Sequence, residues 1–399
     1  MRLRYQEEKS ELKLRSTNSA RSRINNVLLG GSIKRLYPWN GFNGPPKALI
    51  DSHNSSDLVT DPSQIKAATV RYFQNLYKRE DHPVIEKPWM ESPSVLQIRN
   101  STSTDPFRWP TPMSITDFRM ILRNGKGRPA PGLDGWEKWM IKSLNDFSLQ
   151  LVLDLANYII LNSHFPDVTK PSVLSTLFKR GSPMDLANYR GTCCSQFIAQ
   201  IPFAWLNHLL IPYLARHHVL PQGQVATQAG VSTRSRLDFF PCPAKGFDRL
   251  EPEGFYDAIQ AYGLPDSLIA FDKSAQADVP YRVKTAFGLT DPFIVSGVSK
   301  QGGPLSPLKS VLTTSLGNHW LADSLSSQNG GLVIRTKTAM SHQHPHTPSD
   351  ALSVPLTMIE ATDDSIIFAT SETSLAHSCL MMERFQYAYG WTTNWSKSL

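Results

Sequence analysis

The chain has 399 residues, 40% of them hydrophobic and 19% charged, with a net charge of +7 and an isoelectric point near 9.1. That is enough apolar material for one large globular unit or two to three smaller ones. No uninterrupted apolar run is expected to reach the roughly 18–20 residues of a membrane span, and the first eight residues lack the apolar core of a secretory signal. An intracellular protein of nucleus or cytoplasm, with no membrane partner, is therefore expected.

The positive charge is concentrated early: residues 1–40 hold nine Lys and Arg against three Glu. Arg2, Arg4, Lys9, Lys13, Arg15, Arg21 and Arg23 lie in a polar, helix-permissive stretch. It suits salt-dependent, sequence-independent RNA binding and is equally compatible with a disordered basic tail. Ile65, Ala68, Val70, Phe73, Leu76 and Tyr77 follow a turn at Asp61-Pro62-Ser63 and predict one amphipathic helix within residues 58–78. The Pro- and Ser-rich stretch from His82 to Pro112 reads as a linker that closes an amino-terminal extension over residues 1–112.

Beyond it, Gly125-Lys126-Gly127-Arg128-Pro129 places Lys126 and Arg128 in a loop shaped either to follow a phosphate backbone or to act as an ordinary connection. Helices are expected over Leu151–Leu161 and Phe197–Leu214, with short strands around Leu174–Phe178. Lys179, Arg180 and Arg190 flank an expected turn and would put three cations where a triphosphate or template phosphate can be neutralised; isolated charges equally suit a solvated face. Cys193, Cys194, Cys242 and Cys379 have neither zinc-ligand nor disulfide spacing and read as free thiols. His342, His344 and His346 lie among Pro and polar residues and read as a flexible insert.

Two later segments carry chemistry. Gln301-Gly302-Gly303 precedes Ser306-Pro307, a good N-cap and first helical residue, and Leu308, Val311, Leu312, Leu316 and Trp320 then fall on one helical face. A capped surface helix explains the Ser-Pro start but not the glycines, which let backbone amides approach a nucleotide or template closely. Further on, Val354, Leu356, Met358 and Ile359 precede Asp363-Asp364, and Ile366, Ile367 and Phe368 follow. Both runs are too short for helices and predict a hairpin with the acidic pair at its tip. Neighbouring side chains of a regular strand point to opposite faces, so only a turn lets both carboxylates address one divalent-metal cluster. Turn chemistry alone would also place Asp there.

With these residues in view, the chain resembles the reverse transcriptase of non-LTR, LINE-type retrotransposons, of a fungal group. The family's Q-G-x-x-x-S-P motif matches Gln301, Gly302, Ser306 and Pro307, and its x-A-D-D motif is represented by Ala361-Thr362-Asp363-Asp364. Ala130-Pro-Gly-Leu-Asp-Gly135 resembles its A-P-G-x-D-G approach to the fingers; Phe178–Pro183 and Asn188-Tyr189-Arg190 resemble its basic finger strands. Gln224 to Gly230, Lys245-Gly246-Phe247-Asp248 and Phe385 to Lys397 match further motifs in the family's order. The resemblance implies an α+β right-hand polymerase with fingers over residues 113–236, palm over 237–399 and a short antiparallel palm sheet backed by helices; the family's helical thumb is expected to be absent, a departure from it. It implies an RNA template, a DNA primer and deoxynucleoside triphosphates as partners. Mg²⁺ or Mn²⁺ would be held by Asp363 and Asp364, and the incoming nucleotide would meet Phe247, Gln301, Gly302 and Arg190. Lys126, Arg128, Lys179 and Arg180 would face nucleic acid, and Phe247 would exclude a ribose 2′-hydroxyl.

One departure bears directly on activity. The family's first catalytic motif has an Asp three residues before Lys245, where this chain has Cys242, and only sixteen residues separate Gly230 from Phe247, too few for the helix and strand the family places there. Asp248 is a poor substitute, since a ligand misplaced by about 1 Å loses roughly a hundredfold in rate. The expectation is a reverse-transcriptase domain by descent whose DNA synthesis is lost in this copy. A non-enzymatic RNA- or ribonucleoprotein-binding remnant is the other reading.

Overall fold

Asp61 gives the first firm start signal in the chain. Its carboxylate accepts the backbone amides of Ser63 (3.0 Å) and Gln64 (2.9 Å), and with Pro62 next the helix α1 runs Pro62–Leu76. Leu58 and Val59 are not helical; they form strand β2, antiparallel to β1 (Leu49–Ile50). The computed structural model describes residues 44–50, 58–78, 85–124, 130–179, 181–221, 224, 251–297, 302–327, 332–335, 353–361 and 364–391. The basic stretch 1–43, the loop carrying Lys126 and Arg128, and residues 225–250 lie outside it, as does the His342–His346 insert.

Residues 85–112, expected as linker, are part of the core instead. Trp89, in the 3₁₀ turn Pro88–Glu91, is fully buried and donates its indole N–H to the Tyr389 hydroxyl at 2.8 Å. Helix α2 (Pro93–Thr104) buries Val95, Ile98 and Thr102 at helical spacing. Arg99 Nε donates to the Ala261 carbonyl at 2.7 Å, and Ser94 N to the Asp323 carboxylate at 2.9 Å. Pro and Ser read as loop by composition, yet Ser-Pro is also how a helix begins, and the apolar spacing behind it decides.

Three helices follow: α3 (Ile115–Arg123) behind a Ser114/Asp117 capping box, the short α4 (Lys138–Lys142), and α5 (Asp146–Asn162) capped by Asn145. Strands β3 (Ser172–Phe178) and β4 (Tyr189–Ser195) lead to α6 (Phe197–Arg216). Among the described residues α6 is the one helix long and apolar enough to cross a membrane by length and composition, against the expectation that none comes near. Gln200, Asn207 and His208 interrupt its apolar run without adding charge. Half of that stretch is buried inside the fold, with Leu206, Leu210 and Leu214 packed in the core, as in the central helix of a globular protein.

Helices α7 (Pro252–Ala261) and α8 (Ser267–Gln276) precede β5 (Val279–Thr285), β6 (Gly288–Leu289) and β7 (Phe293–Val295). These strands join β3 and β4 in one sheet ordered β4-β3-β5-β6, with β7 also pairing with β5. β3 and β4 are antiparallel but β3 and β5 are parallel, so the sheet is mixed rather than the antiparallel one expected. The long helical connection between them permits that crossover. Strands from residues 113–236 and from 237–399 thus share a sheet, and α1 covers one face with Phe73 and Tyr77 against Leu174, Cys193, Tyr281 and Val283.

Helix α9 (Ser306–Ser327) departs most from expectation. Its apolar residues were to form one face, yet Leu308 to Asn318 are buried all round, including Lys309, Thr313, Thr314, Ser315 and Asn318. Ser306 is the first helical residue rather than the N-cap, because Lys309 N donates to the Leu305 carbonyl at 3.0 Å and the buried Leu305 fixes the start. Lys309 Nζ reaches both oxygens of Asp272, at 2.7 and 2.8 Å, and the Tyr256 hydroxyl and Gln276 amide donate to the same carboxylate. The chain ends its described course with the hairpins β8 (Leu332–Arg335)/β9 (Ser353–Leu356) and β10 (Met358–Ala361)/β11 (Asp364–Ile367), then α10 (Glu372–Tyr387) packed on α9. One apolar core runs from Trp89 to Trp391, and the architecture is α+β.

Breaking the buried ion pair strands a charge. Lys309→Met should lower stability in urea unfolding by about 3–5 kcal/mol, and adding Asp272→Leu should recover most of that loss. On the same helix, His319 donates from Nε2 to the Val219 carbonyl at 2.9 Å, and burial holds its pKa below the ordinary 6.5. The unfolded chain then takes up the proton more readily, so this contribution to stability is complete above pH 6.5 and is lost as pH falls towards the folded-state value. His319→Gln, which can keep the hydrogen bond, should flatten the slope of urea-unfolding stability against pH below 6.5.

Candidate functional site

The hairpin expected around the acidic pair is formed. β10 and β11 are antiparallel with Met358 opposite Ile367, Glu360 opposite Ser365 and Ala361 opposite Asp364. Ala361 thus ends the first strand and Asp364 opens the returning one. Asp363 lies outside the described residues. Period-2 alternation puts Met358, Glu360, Ser365 and Ile367 on one face, and the first three are buried at 5%, 2% and 7% exposure.

That face meets α9. Glu360 Oε2 accepts from Asn318 Nδ2 at 2.5 Å, Gln224 Nε2 at 2.6 Å and Thr314 Oγ1 at 3.0 Å, while Ser365 Oγ lies 3.5 Å from Oε1. A backbone bridge between Gln224 and Glu360 adds a second tie. Sequence reading missed this knot; its one signal was a glutamate inside the apolar run Met358-Ile359-Glu360, where an exposed strand position would have been the ordinary expectation.

The loop before α9 meets β4. Gly302 has φ +105°, and a Cβ there would stand 3.0 Å from the Cys193 carbonyl oxygen and 3.2 Å from Thr192 Cγ2. Thr192 shares a strand face with Arg190, which is exposed opposite Leu177. The Gln-Gly loop and the strand bearing Arg190, more than a hundred residues apart in the chain, are thus brought together; Gln301 lies outside the described residues. Lys179, just beyond the Phe178–Tyr189 pair at the same end of these strands as Arg190, donates its backbone N–H to the Asn188 carbonyl at 2.8 Å. Arg180, Lys126, Arg128 and Phe247 are outside the described residues.

A third segment converges on the same place. Gly132, in Ala130–Gly135, abuts the start of α6 so closely that a Cβ would fall 2.7 Å from the Gln196 backbone. Beside it, α3, α4 and α6 wall a groove of about 520 Å³, lined by Asn124, Lys138, Phe197, Gln200, Asn207 and His208 among others, with Pro304 of the loop before α9 also on its lining. Lys138 donates to the Asn124 carbonyl, and burial, with Lys142 nearby, lowers its pKa. The groove was not legible beforehand, because its wall is the side of an apolar helix that sequence alone assigns wholly to the core.

Carboxylate oxygens are the ligands of hard divalent cations, so the donor chemistry of Asp363 and Asp364 fits Mg²⁺ or Mn²⁺. Among the described residues no group of three or more His, Cys, Asp or Glu lies together. No protein-family model matches the chain, and no curated protein matches its sequence.

A side chain at Gly302 would be strained both by φ and by β4. Gly302→Ala should cost about 1–3 kcal/mol in urea unfolding, whereas Gly44→Ala, which has open space around it, should be near neutral.

Proposed function

We propose that this chain is a reverse-transcriptase-type nucleotidyltransferase domain that has kept its nucleic-acid-binding frame and lost templated DNA synthesis. The observation that carries the reading is the tight hairpin of β10 and β11, whose second strand opens with Asp364 and which is fastened through Glu360 to α9, the helix entered from Gly302-Gly303. The contact of that loop with the Arg190 strand, and the convergence of Ala130–Gly135 on the start of α6, support the same reading.

In an intact enzyme of this type, divalent metal lowers the barrier to attack of a primer 3′-hydroxyl on the α-phosphate of a deoxynucleotide. Here Asp363 and Asp364 would hold it. Arg190 would bind the triphosphate, Gly302 would let the backbone approach the nucleotide, and Lys179 and Arg180 would neutralise phosphate. With Cys242 in place of the first-motif Asp, the set has two carboxylates and too little charge to secure a second metal. RNA binding depends on none of these carboxylates, so it persists and is salt-dependent.

The test is primer extension on an RNA template with Mg²⁺ or Mn²⁺, beside RNA binding by fluorescence anisotropy. No extension, together with RNA affinity that falls by about tenfold or more between low and physiological salt, is the expected result. Extension abolished by Asp364→Asn would show that synthesis survives. Absence of RNA binding even at low salt would remove the proposal altogether.

A further inference from the structure

Away from the acidic hairpin, the ends of α2 and α6 bring a serine, a histidine and an aspartate into one line of hydrogen bonds. The Ser101 hydroxyl, on the last turn of α2, lies 2.8 Å from His217 Nδ1, and Oδ2 of Asp105, the C-cap of the same helix, lies 3.3 Å from His217 Nε2. The tautomer follows from these partners. A carboxylate only accepts, so Nε2 carries the proton; Nδ1 of the neutral ring is then an acceptor, and the Ser101 hydroxyl donates to it.

The ring is held in place from several sides. His217 is buried with its ring against that of Tyr213, centroids 4.5 Å apart, and the Tyr213 hydroxyl donates to the Asp105 backbone carbonyl at 2.9 Å. Arg216 donates to Asp105 Oδ2 at 2.7 Å and fixes the carboxylate as well. Ser101 stands exposed at the other end of the line. An open hydroxyl, a base behind it and a carboxylate behind the base is the order of parts that makes a serine nucleophilic, and it is recognised by geometry rather than by place in the chain. Asp105 with Arg216 and Tyr213 already joins the ends of α2 and α6, so a purely structural clamp does not need the Ser101 hydroxyl.

We propose that Ser101 is a nucleophile, activated by His217 and oriented through Asp105, that takes an acyl group from activated esters. The bond from Ser101 Oγ to the acyl carbon forms as the ester C–O bond breaks. The hydroxyl proton passes to His217 Nδ1 and from there to the departing phenolate, while Asp105 stabilises the imidazolium in between. The product is a chain acylated at Ser101, and no residue of the acidic hairpin takes part.

The test supplies p-nitrophenyl acetate to the full chain and follows acetylation residue by residue with peptide mass spectrometry. Ser103 is the internal reference: it is exposed on the same helix, and its hydroxyl donates to the Asn100 carbonyl at 2.7 Å instead of to a base. Ser101 should be acetylated about a hundredfold faster than Ser103. In His217→Asn the amide oxygen can still accept from Ser101 but cannot carry its proton, so the Ser101 rate should fall to that of Ser103 with the helical circular dichroism retained. Acetylation of Ser101 no faster than that of Ser103, or a rate unchanged in His217→Asn, overturns the proposal. Should His217→Asn not fold, Asp105→Asn replaces it: transfer slowed by about tenfold or more supports the proposal, and an unchanged rate refutes it.

Discussion

The structure depends on a long helix that is buried on every side while carrying polar residues on every side. Helix α9 satisfies its own backbone internally, but Lys309, Thr313, Thr314, Ser315 and Asn318 bring side-chain donors into the buried interior. Each must find a protein acceptor or the helix cannot occupy the core. The partners are spread over the chain: Asp272 for Lys309 and Glu360 for Thr314 and Asn318, while Ser315 donates to the Leu312 carbonyl and shares a hydrogen bond with the Tyr262 hydroxyl. Packing alone would allow α9 to rotate or slide among apolar neighbours. These pairings admit one register, and they set where the loop before the helix and the hairpin beside it must lie.

What the sequence disclosed follows from this. Elements with one buried face were legible: α1 from its Asp-Pro start and the spacing of Ile65 and Phe73, β3 from its β-branched run, and the acidic hairpin from two short apolar runs around a turn. Elements buried throughout were not. α9 looked one-sided because the polar residues on its other faces imitate a solvated surface, and only their distant partners distinguish the two cases. α2 was hidden by composition, since Pro and Ser mark loops on average while Ser92-Pro93 begins a helix here. The parallel pairing of β3 with β5 depends on a crossover spanning α6 to α8, and nothing local to either strand encodes it.

The site divides along the same line. The spacing of Gln301, Gly302, Ser306 and Asp364 pointed to a loop, a helix and a hairpin, and the fold supplies all three. The residues that hold them together were silent, because Glu360, Asn318 and Gln224 are ordinary polar letters whose role exists only in their convergence. Gly302 is intermediate: glycine was legible as permission for close approach, but what it approaches, the Cys193 carbonyl and Thr192, is a fact of tertiary packing.

Buried polar contacts of this kind recur through the fold. The knot at Glu360, the Asp272–Lys309 pair and the chain of Trp89, Tyr389 and Asp257 all lie inside. In a sheet-borne site, a strand that contributes a catalytic carboxylate also contributes ladder hydrogen bonds, so losing it damages both. Here the hairpin is retained by side-chain hydrogen bonds to a helix. Its two strands pair with each other, and α9 supplies the third surface through Thr314 and Asn318. On the proposed reading, Cys242 in place of the first-motif acid would take away a metal ligand, whereas the supports of the hairpin, Thr314 and Asn318, lie on α9.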